Sequence, residues 1–294
     1  MLCEFPYVKG TGEAFPCGKC LPCLVRRKKL WTHRLMLESL THSANAFVTL
    51  TYADEHLPKD LSLDPAILTG FLKRLRSRIS PQRIRFYAVG EYGDQSQRPH
   101  YHALLFGYQS CLRGRSIYSS RRPDCCSSCD RIRDTWGLGY VGLGSVTPES
   151  VGYVVGYIVK NMRRTDDWRL KGRWPEFSRM SLRPGIGFGA LDELTQTIMR
   201  YNLDDEPVTT LRHGKSRRQL GRYLNRKLEQ MLGQEKGVYN DEEVLALWDT
   251  AKAATPQGGE IRRNYFKNLL MDASVQRVRN MSARMKIHKS EKPL

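Results

Sequence analysis

No run of about 18 apolar residues occurs anywhere in the 294-residue chain, which excludes a membrane-spanning helix. The first ten residues, MLCEFPYVKG, also lack the apolar centre of a secretory leader, so the expected location is the cytoplasm. Acidic residues are in deficit: 30 Asp and Glu stand against 48 Lys and Arg, for a formal charge of +18. The arginines are spread along the whole length, and that excess implies a polyanionic partner, with nucleic acid favoured over a membrane surface. A triphosphate-binding loop is missing too. Gly214, Lys215 and Ser216 spell the end of one, but Thr209 stands where its first glycine belongs. Gly137, Gly139 and Gly142 have dinucleotide-loop spacing, yet they fall inside a strand-like run and not at a strand-to-helix turn.

Cysteine is sparse as well, eight residues in two groups: Cys3, Cys17, Cys20 and Cys23, then Cys111, Cys125, Cys126 and Cys129. Such grouping is that of metal ligands and not of a secreted disulfide framework. The run CGKCLPC puts three thiols within reach of one tetrahedral zinc, with Cys3 or a thiol of the second group as the fourth ligand. The second group predicts another zinc, or a site shared between the two groups.

The elements that can be read are a basic helix over 23–41, a strand over 46–52 and a helix opened by Asp64 and Pro65. In that last helix Ile67, Leu68, Phe71, Leu72, Leu75 and Ile79 recur at three-to-four spacing. IRFYAVGEYG and HYHALLFGY, joined by DQSQRP, predict a hairpin; residues 137–146 predict another strand, and Thr147 with Pro148 a helix running to about Met162. The order predicts an α+β fold with a central antiparallel β-sheet flanked by helices. RWPEFSRMSLRPGIG reads as loop, and 216–233, 241–254 and 260–286 read as basic helices. The expected division is a cysteine knuckle and basic helix (1–45), a core (46–165, with a cysteine-rich insertion at 109–135), and a mostly helical C-terminal region (166–294).

Two constellations carry chemistry. His100 and His102 are two apart on a strand and so share a face, leaving Tyr101 on the face that serves the core; Glu91 lies at the same end of the partner strand. Two imidazoles and a carboxylate are a ligand set for Mg²⁺ or Mn²⁺ with positions left for a phosphate oxygen. Downstream, Val151, Val154, Val155, Ile158, Val159 and Met162 form an apolar helical stripe, which leaves Tyr153, Tyr157, Lys160 and Arg164 on the other side. A phenol with an ordinary pKa of about 10 is a poor nucleophile at neutral pH, and a nearby ammonium or metal would help it attack a phosphodiester.

FVTLTY, RPHYHALLFG and YVVGYIVK, in that order, resemble the three motifs of the HUH endonucleases, the rolling-circle replication initiators. With CGKCLPC, IRFYAVGEYG and EFSRMSLRPGIG, the chain is similar more narrowly to the initiators of gokushovirus-type single-stranded DNA microviruses. The resemblance implies an HUH endonuclease-like fold and a metal-dependent nickase and ligase of single-stranded origin DNA in the cytoplasm of a bacterial host. It gives His100 and His102 the role of metal ligands, Glu91 that of third ligand, and Tyr153 and Tyr157 that of nucleophiles followed by Lys160. Host DNA polymerase and a host helicase are implied partners, without a nucleotide triphosphate. The rival readings are a zinc-containing nucleic-acid-binding protein without catalysis, and an HUH transposase or relaxase.

Overall fold

A computed structural model describes residues 3–93, 95–113, 125–156, 168–203, 207–213, 215–234 and 242–290. Its chain divides into two compact units, residues 30–235 and residues 1–29 with 236–294.

The larger unit is built on a five-stranded antiparallel sheet. In chain order its strands are β3 (Asn45–Tyr52), β4 (Arg85–Tyr92), β5 (Pro99–Phe106), β6 (Gly139–Ser145) and β7 (Phe177–Met180), arranged β6-β3-β5-β4-β7. The predicted hairpin is β4–β5, and its second strand lies at the centre of the sheet. Beneath one face lie helix α2 (Pro65–Ile79) and helix α3 (Ser127–Trp136). Asp64 caps α2 by accepting the Ala66 N–H at 2.7 Å, and Leu68, Phe71, Leu72, Leu75 and Ile79 bury the stripe read from their spacing. Tyr101 is fully buried on this face among Tyr52, Trp136 and Phe177. Its hydroxyl is satisfied by the backbone of Asp64 and by Tyr52, so a large polar-tipped ring fits between the two histidines.

The opposite face is also packed, which corrects the expectation that only the Tyr101 side serves the core. Leu104 and Phe106, two and four residues beyond His102 on the same face, are buried against Leu35 of helix α1 (Leu21–Leu40) and against Val151, Val154 and Val155 of helix α4 (Pro148–Gly156). Only the end of that face holding the histidines is partly open. There β3 alternates half-buried Phe47, Thr49 and Thr51 with buried Val48, Leu50 and Tyr52. Thr147 and Ser150 open α4 with a reciprocal capping pair, each side chain taking the other's backbone N–H, at 3.2 and 2.8 Å. Gly139 pairs with Tyr52 at φ 146°, where an added Cβ would overlap the backbone of Ala53.

Four readings need correction. RWPEFSRMSLRPGIG is not all loop: Phe177–Met180 is the edge strand β7, paired with β4 from Gly90↔Phe177 to Tyr87↔Met180, so the sheet draws a strand from beyond residue 165. Residues 216–219 are not helical either. They form β9 (Ser216–Gln219), hairpinned to β8 (Thr210–His213), and helix α6 begins only at Gly221 and runs to Leu232. His33 holds that hairpin to α1, with Nδ1 2.9 Å from Gln219 O and Nε2 2.9 Å from His213 Nε2. Helix α5 (Ala190–Tyr201), which packs with α6 around Leu37, and helix α3 are additions to the elements expected from sequence.

The smaller unit contains the short ribbon of β1 (Tyr7–Val8) and β2 (Ala14–Phe15), with helices α7 (Glu242–Ala254) and α8 (Gly259–Ser290) around Val8, Val244, Ala251, Phe266 and Leu270. The start of α1 and Cys3, Cys17, Cys20 and Cys23 belong to it. Among the described residues no helix is long and apolar enough to cross a membrane.

Candidate active site and thiol clusters

The sheet register brings the histidines and the carboxylate together. His100 pairs across with Glu91 of β4, and His102 with Thr49 of β3, so all four side chains stand on one face. The Nε2 atoms of His100 and His102 each lie 3.2 Å from Glu91 Oε1. Glu91 and His102 are buried and His100 is half-buried.

Hydrogen bonds at the far side of each ring fix which nitrogen faces inward. His100 Nδ1 is 3.1 Å from the carbonyl oxygen of Arg98, which can only accept, so that nitrogen carries the proton. His102 Nδ1 is 3.0 Å from Thr49 Oγ1, in position to donate to it in the same way. In neutral rings of this tautomer both Nε2 lone pairs are directed at a carboxylate oxygen. Three electron-rich atoms so close require a cation among them, and Glu91, His100 and His102 form a group that can hold a metal ion. Phe47 stacks on the His102 ring at 5.6 Å and 16°, restricting it from the side.

Tyr153 stands beside this group. Its ring lies 5.0 Å from that of His102 at 90° and 6.3 Å from that of Phe47, and it is 55% exposed while Val151, Val154 and Val155 of the same helix are buried. It is thus an accessible phenol next to the histidines. Tyr101, between them in sequence, has its acidity lowered by burial on the far side of the sheet and is no candidate nucleophile. Tyr157 and Lys160, and the stretch to Met162, lie outside the described residues. Thr49 and the Arg98 carbonyl are site groups that sequence reasoning missed. The available hint is that Phe47, Thr49 and Thr51 alternate along one face of FVTLTY.

Each cysteine group closes on its own members, Cys3 completing the first set, and each can hold a zinc ion. Cys17 and Cys23 sulfurs are 4.0 Å apart, Cys3 and Cys20 3.9 Å, and Cys111 and Cys125 3.6 Å. These are too long for disulfides, whose sulfurs are about 2.05 Å apart. They match the edge of about 3.8 Å expected for four sulfurs at about 2.3 Å around tetrahedral zinc. Burial acts to raise the Cys17 thiol, but N–H donation from Lys19 and Cys20 outweighs it and brings the pKa to about 6. Cys126 is brought to about 7, burial again being outweighed, here by N–H donation from Cys129 and Leu112. Burial raises Cys3, Cys23, Cys125 and Cys129, so each cluster contains one ready thiolate among thiols that a metal must deprotonate.

Residues 45–162 match the family model of the ORF2-type replication-associated proteins. This part of the chain belongs to that family. It holds the three strands and the helix that supply His100, His102, Glu91 and Tyr153. The chain is 34% identical over 161 residues to replication-associated protein VP4 of Bdellovibrio phage phiMH2K, covering 52% of this chain and 50% of that protein. It is 31% identical over 159 residues to replication-associated protein ORF4 of Chlamydia phage 1, covering 52% and 40%. Over 227 residues it is 29% identical to replication-associated protein ORF2 of Spiroplasma virus 4, covering 74% of this chain and 69% of that one. The chain therefore spans half or less of the first two relatives. No solved structure gives a significant match.

Proposed function

We propose that this protein initiates and terminates rolling-circle replication of a single-stranded DNA phage genome by metal-dependent tyrosine transesterification in the bacterial cytoplasm. The observation that carries the reading is the convergence of Glu91, His100 and His102 beside an exposed Tyr153. Histidine and carboxylate ligands with positions to spare suit Mn²⁺ or Mg²⁺. Bound there, such a cation polarises a phosphodiester oxygen and stabilises charge at phosphorus. Tyr153 Oη attacks the phosphorus, a phosphotyrosyl ester forms, the P–O3′ bond breaks, and the 3′ oxygen takes up a proton as a free hydroxyl. That 3′-OH primes host polymerase while a host helicase opens the duplex. After one circuit Tyr157 performs the second cleavage, and the newly freed 3′-OH attacks the first phosphotyrosine, closing a circle. Each step exchanges one phosphodiester for another, so no nucleotide triphosphate is consumed. Lys160 is assigned to the charge around the transition state.

Incubation with a single-stranded origin oligonucleotide and Mn²⁺ is expected to give an SDS-resistant adduct, and mass spectrometry of the tyrosyl peptide should place the DNA on Tyr153 or Tyr157. A zinc-containing protein that only binds DNA would shift the oligonucleotide and give no adduct, and that result would sink the reading.

The tautomer argument makes Thr49 a positioning residue. Thr49→Val removes the acceptor for His102 Nδ1 at nearly constant volume, and Mn²⁺ affinity measured by calorimetry is expected to fall roughly 10- to 100-fold. Thr49→Ser should restore most of it. Equal affinities in all three proteins would show that this contact does not orient the ring.

A further inference from the structure

Residues 168–174, WRLKGRW, form a loop whose backbone is firmly tied while both indoles are left to solvent. Leu170 is fully buried in the core beneath the sheet. Lys171 and Gly172 have positive φ, 50° and 83°, and the Arg173 N–H donates to Leu170 O at 2.9 Å, closing a tight reverse turn. The Arg173 guanidinium lies 4.4 Å from the Tyr92 ring and donates to the carbonyls of Leu170 and Arg169 at 3.0 and 3.1 Å. It also reaches Gln97 O and Oε1, both at 3.4 Å. Trp174 is held on both sides: its N–H donates to Ser62 Oγ at 2.9 Å, and its carbonyl accepts the Tyr92 hydroxyl at 2.7 Å.

Those anchors place the loop beside the candidate site. Tyr92 follows Glu91, and Gln97 sits in the turn that returns the chain to His100, so the loop is fastened to the same end of the β4–β5 hairpin that supplies the three ligands. Against this fixed backbone Trp168 is 82% exposed and Trp174 51%. Indoles supply much of the apolar surface that folding buries, and leaving two of them in water on an ordered loop forgoes that gain. Arg169 and exposed Lys171 lie between them in sequence. Aromatic faces interleaved with cations are the composition that takes unpaired bases by stacking and their phosphates by charge.

We propose that Trp168 and Trp174 are stacking platforms for bases of the single-stranded DNA flanking the scissile phosphate, with Arg169 and Lys171 facing its backbone. The proposal rests on the transesterase reading for its substrate, but DNA affinity tests it without any chemistry. The measurement is fluorescence anisotropy of a labelled single-stranded origin oligonucleotide with the zinc-loaded full chain, with neither Mn²⁺ nor Mg²⁺ added. The Trp168→Ala, Trp174→Ala double variant is expected to bind about tenfold more weakly or worse. Its salt dependence should match that of the parent protein, because no phosphate contact is lost. The corresponding pair of phenylalanine variants should recover most of the affinity, which a folding defect would not allow. Intrinsic tryptophan fluorescence should be quenched by the oligonucleotide, and less so in each single alanine variant. Unchanged affinity and quenching in the alanine variants would overturn the proposal and leave the rings to a protein partner. If the parent forms no adduct with Mn²⁺ while the alanine variants lose affinity, the platform stands and the transesterase reading falls. If the adduct forms and affinity is unaltered in the variants, the transesterase reading stands and the platform falls.

Discussion

A His102→Ala variant is expected to lose phosphotyrosyl adduct formation by about three orders of magnitude while still binding single-stranded DNA. His102 is the most constrained of the three ligands, buried at the centre of the sheet, stacked on Phe47 and bonded through Nδ1 to Thr49. Its removal leaves Glu91 and His100, a two-ligand site at the half-open end of the face, which cannot hold a weakly bound divalent cation against water. A metal at a phosphoryl oxygen supplies several kcal/mol of transition-state stabilisation, and about 4 kcal/mol corresponds to roughly a thousandfold in rate. DNA affinity should change little, because binding arises mainly from the basic surface of a chain with a formal charge of +18. The comparison that isolates the metal is Glu91→Gln, which keeps the shape of the side chain and removes its charge. Raising Mn²⁺ should rescue Glu91→Gln more readily than His102→Ala, since both imidazoles remain. The measured quantities are the single-turnover rate of adduct formation against Mn²⁺ concentration and the oligonucleotide affinity. Full activity in His102→Ala would remove the group as a metal centre. Loss of DNA binding in parallel with activity would instead show that the residue holds the fold.

What the sequence makes legible follows from local periodicity. The stripe of α2 and its Asp64 cap, the alternation of β3 and the paired runs of β4 and β5 are each complete within a couple of dozen residues, so the sheet and the meeting of His100 with Glu91 can be read from the hairpin alone. Contacts made across long sequence separations cannot. Thr49 meets His102 at a separation of 53 residues, and His33 meets His213 at 180. Strand β7 is hidden because its four residues, FSRM, are too few to show alternation, and it is the free edge of β4 that selects them. The second strand of the β8–β9 hairpin reads as helix because SRRQ is wholly exposed and has no apolar pattern of either period. The same limit applies to the thiols. Spacing predicts three converging sulfurs in CGKCLPC, but only the fold shows that Cys3 closes that set and that the second set closes independently.

Loss of zinc from the Cys3, Cys17, Cys20 and Cys23 set is expected to unfold the order of the smaller unit around it. The buried groups there are the thiols themselves and a small cluster of Val8, Val244, Ala251, Phe266 and Leu270. A core of that size contributes little beyond the entropy of ordering the chain, and small domains of this kind commonly depend on a metal. Structural zinc supplies on the order of 10 kcal/mol in small thiolate sites, enough to decide whether such a unit folds. Without the ion, four sulfurs whose distances are set by tetrahedral packing become partly buried thiols and one acidic thiolate at Cys17. They would then repack or oxidise. Native mass spectrometry of the parent chain should find two zinc ions, one for each four-thiol set. Cys20→Ser should retain one, Cys129→Ser one, and the double variant none. Limited proteolysis of Cys20→Ser should cut within residues 1–29 or 236–294 while the sheet of the larger unit survives, because those strands draw nothing from the first thiol set. A chain that purifies without zinc, with all eight thiols reduced and the same protease resistance, would show that hydrophobic packing alone maintains these clusters.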